Sequence, residues 1–308
     1  MNLNRAQYIL TILEEGSISE AAKKLFISPA ALSQAVRLVE EELGLPILER
    51  SRGSARLTYA GERYAETVRQ MLLLERNLYN EMDEIKREQN GLFRFGIPFL
   101  NGQLVLPKIF PVFHAAYPSI RLQITEKGSP DLIQMLLRGE LDLALIRTAF
   151  CEKGLTYQLL QPERMGILAA KGSGLYDRYP NGTELDIRQA AGEQFIFLKK
   201  GHSSRFSQDK LLEAQDLKLS ALLELDSFET AKQVTASCGG VMIISYSSFR
   251  RDEKIQEHTH FYPLKGTDNE ENIYLAYNES TYLTPYMKKW AGLVESVYQE
   301  QWSTISSL

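Results

Sequence analysis

Cysteine, histidine and tryptophan are scarce in these 308 residues, with two, four and two copies respectively. Cys151 and Cys238 stand alone, and no C-x-x-C or C-x-x-x-C pair offers a thiolate clamp or a redox dithiol. They are far apart in sequence, so ordinary thiols are expected rather than a disulfide switch. His258 and His260 are spaced to share a metal, but no third ligand stands near them. No metal and no other cofactor is therefore expected. G-x-S-x-G elbows, Walker loops, H-E-x-x-H and paired-carboxylate motifs are all absent. His202 adjoins Ser203 and Ser204, but adjacent side chains rarely face one another productively, so an enzyme is not expected. No run approaches the roughly 20 apolar residues that span a bilayer. The opening MNLNRAQYIL lacks the charged start and unbroken apolar core of a signal peptide. A cytoplasmic protein without membrane contact is expected. Positive charge is also not in excess: the formal net charge is -4, so a nucleic-acid partner would have to be met by a local patch.

What is present falls into three patterns: short helices with tight turns to about Thr58, one long polar-rich helix to about Gln89, then strands alternating with helices. In the first, Leu10, Leu13 and Ile9 give helix one an apolar face that ends at Gly16. Ser19 is the expected N-cap of a second helix burying Ala22 and Leu25. Phe26-Ile27 makes a short connection. Ser28 then caps a third helix, with Pro29 in its first turn, where the missing N–H is harmless. Leu32, Val36, Val39 and Leu43 form one buried stripe. Two short helices so joined, the second amphipathic, make a helix-turn-helix.

The opposite face of the third helix carries Ala30, Ser33, Gln34 and Arg37, with no carboxylate until Glu40. Small residues beside a Gln and an Arg suit close approach to base edges in a major groove, although they also suit a plain solvated face. The next segment favours the groove. Arg50, Arg52 and Arg56 lie in ILERSRGSARLTYAG with no acid between Arg50 and Thr58, and Gly53-Ser54 turns between two short extended pieces. That is a wing whose arginines could grip phosphates or enter a minor groove. Residues 1–60 hold seven Lys and Arg against seven Asp and Glu, so positive charge is sorted by place rather than by amount.

The stretch GSISEAAKKLFISPAALSQAVRLVEEELGLPILERSRGSARLTYAG resembles the N-terminal signature of LysR-type transcriptional regulators. The matching positions are Gly16-Ser17, Ala21-Ala22, Leu25, Ser28, Leu32-Ser33, Glu40, Leu43-Gly44, Arg50, Leu57-Thr58 and Ala60-Gly61. Pro29 departs from the family, which usually has a Gln there that contacts a base; Leu48 stands where Phe is common. The resemblance implies promoter DNA as partner, with Ser28, Pro29, Ala30, Ser33, Gln34, Arg37, Arg50, Arg52 and Arg56 at the interface and the helix from 29 to 41 in the groove. With Pro29 in place of that Gln, Ser33, Gln34 and Arg37 are expected to carry more of the reading.

The long helix repeats Tyr64, Met71, Leu78 and Ile85 every seven residues, with Val68 and Met82 between, which predicts a partner helix, although Glu75 interrupts the repeat and packing against the protein's own domain could explain part of the stripe. The resemblance implies a dimer through this helix, often doubled to a tetramer. Beyond it, LFRFGIPF, RLQITEKG and LDLALIRT read as strands, and VLPKIFPVFHAAYPS and SPDLIQMLLRG as helices. This βαβαβ rhythm predicts a parallel or mostly parallel sheet. LPKIF-PVF-AAYPSIRLQI and LLRGELDLALI resemble the family's effector domain. The implied architecture is α/β: an N-terminal winged helix-turn-helix (1–58), a long linker helix (59–90) and a two-lobed effector domain (91–308) like the type 2 periplasmic binding proteins. Lobe I is expected at 91–162 plus 264–308, and lobe II at 163–263.

Open α/β sheets bind ligands beyond the carboxyl ends of their strands, where helix starts offer N–H groups. That rule selects Phe99, Asn101, Ser129, Arg147, Thr148, Lys199, His202, Ser203 and Phe228, with Ser129 as an N-cap. Arg147, with Lys199 or His202 opposite, points to an anionic small-molecule effector. RNA polymerase is a further implied partner. The contrasting reading is a small-molecule binding protein whose N-terminal domain serves assembly.

Overall fold

The computed structural model describes residues 3–49, 55–86, 91–148, 150–200, 203–266 and 270–306. Three helices open the chain: α1 (Leu3–Glu15), α2 (Ile18–Lys24) and α3 (Pro29–Leu43). They close on a core of Ala6, Ile9, Ile12, Ala21, Ala22, Leu32, Val36, Val39 and Ile47. The buried face of α1 is thus Ala6, Ile9 and Ile12, while Leu10 and Leu13 are only half-buried. Ser17, not Ser19, caps α2: its Oγ accepts from Glu20 N at 3.1 Å. Gly16 takes a φ of 69°, so the chain reverses at once and the cap falls two residues earlier than expected. Leu25 is half-buried, and Leu43 is 45% exposed because the last turn of α3 runs past the core before Gly44 ends it.

The long helix α4 spans Tyr59–Ile85 and starts on Thr58, whose Oγ1 accepts from Gly61 N at 3.0 Å. Tyr64 and Val68 of the heptad stripe are buried inside the N-terminal core, so packing on the protein's own domain takes that part of the stripe and a helix–helix seam does not. Met71, Leu74, Leu78 and Met82 remain exposed along the helix. Its other side is tied to the domain that follows. Asn77 donates to Ser280 O at 2.6 Å and accepts from Tyr282 N at 3.1 Å, and the Tyr282 hydroxyl donates to Glu84 at 2.6 Å. Arg76 meets Asp142 at 3.3 Å and also donates to Gly139 O.

The remainder runs β1 (Gly91–Ile97), α5 (Phe99–Ala116), β2 (Ile120–Glu126), α6 (Ser129–Leu137), β3 (Leu143–Thr148), β4 (Leu155–Ala170) and α7 (Gly174–Arg178). A short 3-10 turn, Ile187–Ala190, precedes β5 (Phe195–Leu198), α8 (Ser203–Ala214), β6 (Ala221–Leu225), α9 (Phe228–Cys238) and β7 (Val241–Ser245). Then come α10 (Tyr246–Arg250), α11 (Glu253–Gln256), β8 (Thr259–Pro263), β9 (Glu270–Asn278) and α12 (Pro285–Ser306). The strands order as β2-β1-β3-β9-β4-β7-β5-β6, with β8 on the far edge of β4. Among the described strands the parallel ladders are β1 with β2 and β3, and β5 with β6 and β7; all four ladders involving β4 or β9 are antiparallel. The sheet is therefore mixed rather than mostly parallel. Strand β4 runs through both halves, pairing with β9 as far as Arg164 and with β7 and β8 from Met165 onward.

Each half has its own core. In lobe I, Trp290 of α12 meets the rings of Phe93, Phe95 and Phe113 edge-on, at 5.6, 5.2 and 4.9 Å between centroids. In lobe II, Phe195 and Phe197 pack on one face of the sheet, and Ile196, Leu198, Phe228 and Phe261 on the other. Helix α5 begins six residues before the expected VLPKIF, because extended Pro98 leads straight into it. Phe99 and Asn101 thus lie in a helical turn, not in a loop.

Candidate functional site

At the N-terminal end, Ser28 is extended and its Oγ accepts from Ala31 N at 3.1 Å, with Pro29 as the first helical residue. Burying Leu32, Val36 and Val39 turns the opposite face outward. Ser28, Pro29, Ala30, Ser33, Gln34 and Arg37 are all exposed there. Glu40 is turned away from that face: its carboxylate accepts from Ile47 N at 2.9 Å and Leu48 N at 3.3 Å, tying α3 to the following segment. Glu40 is thereby used internally, and the exposed face from Ser28 to Arg37 carries no carboxylate; the next exposed acid is Glu41, one turn beyond Arg37. Leu48 and Leu57 form an antiparallel bridge, and Glu49 N donates to Arg56 O at 2.9 Å, giving the base of a two-stranded wing. Arg56 is exposed on it. Arg50 and Arg52 lie outside the described residues.

The second site is a cavity of about 340 Å³ between the two lobes. Phe99, Leu100 and Asn101 from the start of α5, Ser129 and Gln134 from α6, and Arg147 and Thr148 from the end of β3 line one side. Ser204, Phe206, Ser207 and Lys210 of α8 line the other. Neither Pro98 nor Gly128, the caps of α5 and α6, makes a side-chain capping bond. Two helix starts thus border the same space with the positive ends of their dipoles, although Pro130 of α6 has no N–H to offer and Glu152 also lines the cavity. Ser129 is not an N-cap; its Oγ accepts from Arg147 N at 2.9 Å and joins α6 to β3. Asn101 donates to the Tyr298 hydroxyl at 2.8 Å, and burial pushes that phenol up to about 12. Across the cleft, the Lys210 ammonium lies 4.7 Å from the Phe206 ring and 5.1 Å from the Phe150 ring of lobe I.

The structure therefore gathers Phe99, Asn101, Ser129, Arg147 and Thr148 in one cavity. Lys199 lies elsewhere, paired with Asp226 at 2.7 Å on the surface, and Phe228 is 5% exposed in the lobe II core. Ser203 begins α8, and His202 lies outside the described residues. Sequence reasoning missed Gln134, Phe150, Glu152, Phe206, Ser207 and Lys210. The i, i+4 spacing of Phe206 and Lys210 was a visible signal, but not which lobe their helix would face. Elsewhere, burial moves the His260 imidazole below its ordinary value, and its ring stacks 3.9 Å from that of Tyr176. Among the described residues no group of three His, Cys, Asp or Glu could hold a metal. Both cysteines are free thiols.

Residues 3–62 match the family model for the bacterial regulatory helix-turn-helix protein, lysR family, and residues 86–299 match the LysR substrate binding domain. The chain is 24% identical over 302 residues to the probable cat1 operon transcriptional activator of Acinetobacter lwoffii, covering 97% of each. It is 26% identical over 244 residues to YybE, an HTH-type transcriptional regulator of Bacillus subtilis, covering 79% of this chain and 82% of that one. Its fold is similar to a full-length OxyR variant from Pseudomonas aeruginosa, with a TM-score of 0.68 at 23% identity over 97% of this chain and 95% of the other. It is also similar to CbnR in complex with its target DNA, with a TM-score of 0.53 at 17% identity over 96% of this chain and 100% of the other. No described helix is long and apolar enough to cross a membrane. The exposed face of α3, the wing behind it, the two-lobed cavity and these matches lead to one conclusion: the chain belongs to the LysR family and is a DNA-binding transcriptional regulator with an effector-binding domain.

Proposed function

We propose that this regulator acts in the cytoplasm by binding rather than turnover, and that a small anionic effector in the interlobe cavity changes its grip on promoter DNA. The observation that carries this reading is the convergence of two uncapped helix starts, Arg147 and Lys210 on one cavity built from both lobes. Such a site favours negative charge, and a ligand touching both lobes biases their relative position by its differential affinity for the two arrangements. Phe99, Asn101, Ser129, Arg147 and Thr148 are the proposed effector contacts, with Lys210 added from the opposite lobe. DNA would be met by Ser28, Pro29, Ala30, Ser33, Gln34, Arg37 and the wing arginines Arg50, Arg52 and Arg56. Dimerisation through the exposed Met71–Leu78–Met82 edge of α4 would place two copies of α3 in successive major grooves. Two such dimers could join as a tetramer, and the bound complex could contact RNA polymerase. The working units are 1–58, 59–90 and 91–308, with lobe I formed by 91–162 plus 264–308 and lobe II by 163–263.

The test is a thermal-shift series with benzoate, phenylacetate and hexanoate against their neutral amides. The acids should raise the unfolding midpoint more than the amides, and Lys210→Met should remove the difference. Equal shifts for acids and amides would overturn the preference for an anion.

A further inference from the structure

Phe26 combines two properties that a folded chain rarely keeps together. It is the second residue past the end of α2, just after the C-cap Leu25, and its φ is 56°, in the left-handed region where a side chain crowds the following carbonyl. Its side chain is 96% exposed. The backbone around it closes as a Schellman turn: Phe26 N donates to Lys23 O at 3.2 Å and Ile27 N donates to Ala22 O at 3.0 Å. Leu25 and Ile27 on either side pack against the helical core. Glycine is the residue this geometry favours, and Asn the next. A phenyl ring here adds strain and no burial, so folding gains nothing from it.

Its position says what it could touch. Phe26 lies two residues before Ser28, the cap of α3, and that end of a recognition helix is the end that approaches base edges. The two lysines beside the turn face carboxylates rather than the α3 end: Lys23 is paired with Glu20 at 2.7 Å, and Lys24 with Glu15 at 2.7 Å and Glu14 at 3.2 Å. The ring is what the turn presents, continuous with exposed Ser28, Pro29 and Ala30. We propose that Phe26 is a DNA-contacting residue, held outward by a strained turn so that its ring packs on an apolar edge of the duplex, either a deoxyribose rim or a thymine methyl. Strain kept at a surface residue with no internal contact is the pattern of a site selected for binding rather than stability.

The test uses the full-length protein and a duplex selected by the wild-type protein from a random pool. Phe26→Gly should raise the thermal midpoint by a few degrees and weaken DNA binding roughly tenfold, the scale of one good groove contact. The salt dependence should stay the same, since no phosphate contact is lost. Phe26→Tyr should bind within about twofold of wild type. Replacing thymine by deoxyuridine in the duplex separates the two edges. If the methyl is the partner, wild-type binding weakens and Phe26→Gly is indifferent; if the sugar is the partner, neither protein responds and the Phe26→Gly loss remains. Unchanged DNA affinity in Phe26→Gly would overturn the proposal. So would weaker binding accompanied by a lower midpoint in both Phe26→Gly and Phe26→Asn, because the ring would then be supporting the turn.

Discussion

Replacing Arg76 by Met should uncouple the linker helix from the effector domain, and its cost can be worked from the contacts. Asp142 is 2% exposed and the Arg76 side chain 22% exposed, at 3.3 Å. Burial pushes the Asp142 carboxyl above its ordinary value, while Arg76, the Arg94 N–H at 2.7 Å and the Arg94 guanidinium pull it back. Breaking a buried ion pair by removing one partner costs about 3–5 kcal/mol when the other charge is left alone. Here Arg94 remains at 3.8 Å, so about 2–3 kcal/mol is the expected loss. For a domain of this size that lowers the midpoint by about 5–10 °C. The sign with pH follows from the raised carboxyl. Asp142 binds its proton more readily in the folded state than in the unfolded one, so its contribution to stability is fully present below its ordinary value and is lost as pH rises through the folded value. Losing Arg76 raises the folded value further. The deficit of Arg76→Met is therefore largest near neutral pH and shrinks on acidification. Asp142→Asn should recover much of it in the Arg76→Met background, because asparagine still accepts from Arg94 N and carries no charge. Urea unfolding of the four proteins, from neutral pH down to the acid limit of the wild type, supplies the cycle. A deficit under about 0.5 kcal/mol, or one that does not change with pH, would refute the reasoning.

Three other outcomes follow from single positions. Gln34→Ala should cost about 1–3 kcal/mol of discrimination against mutated sites, whereas Pro29→Gln should leave the preferred sequence unchanged; binding-site selection with each variant decides, and a dispensable Gln34 reverses the assignment. Gly61→Ala should strongly destabilise the N-terminal unit, since a Cβ there would lie 2.1 Å from Ile47 O; circular-dichroism melting should place its midpoint well below wild type, and an unchanged midpoint contradicts the packing. Leu78→Glu places a charge in the exposed edge of α4 and should shift analytical-ultracentrifugation profiles toward monomer, with a fall in DNA affinity; an unchanged oligomer moves the dimer contact elsewhere.

Helix caps were readable where the chain offers one acceptor at one place. Ser28 before Pro29 is such a case, and its bond to Ala31 N is local. With Ser17 and Ser19 both available, the choice depended on how sharply Gly16 turned, which a residue pattern does not record. Heptad spacing along α4 was equally ambiguous. The same apolar stripe serves two purposes, with Tyr64 and Val68 spent on the N-terminal core and Met71, Leu78 and Met82 left outside. Cavity residues near strand ends were found by rule, but Lys199 went to Asp226 and Phe228 into a core because both depend on how lobe II packs.

The sequence by itself determined the helix-turn-helix, the exposed polar face of α3 and the family, because these rest on residues within a few turns of one another. The tertiary structure decided the rest: a mixed sheet threaded by β4, a cavity closed by Lys210 from the far lobe, and a linker helix locked by Arg76 to Asp142. Those features join residues distant along the chain. Their pairing is set by the burial and charge compensation of the whole fold, which no local periodicity encodes.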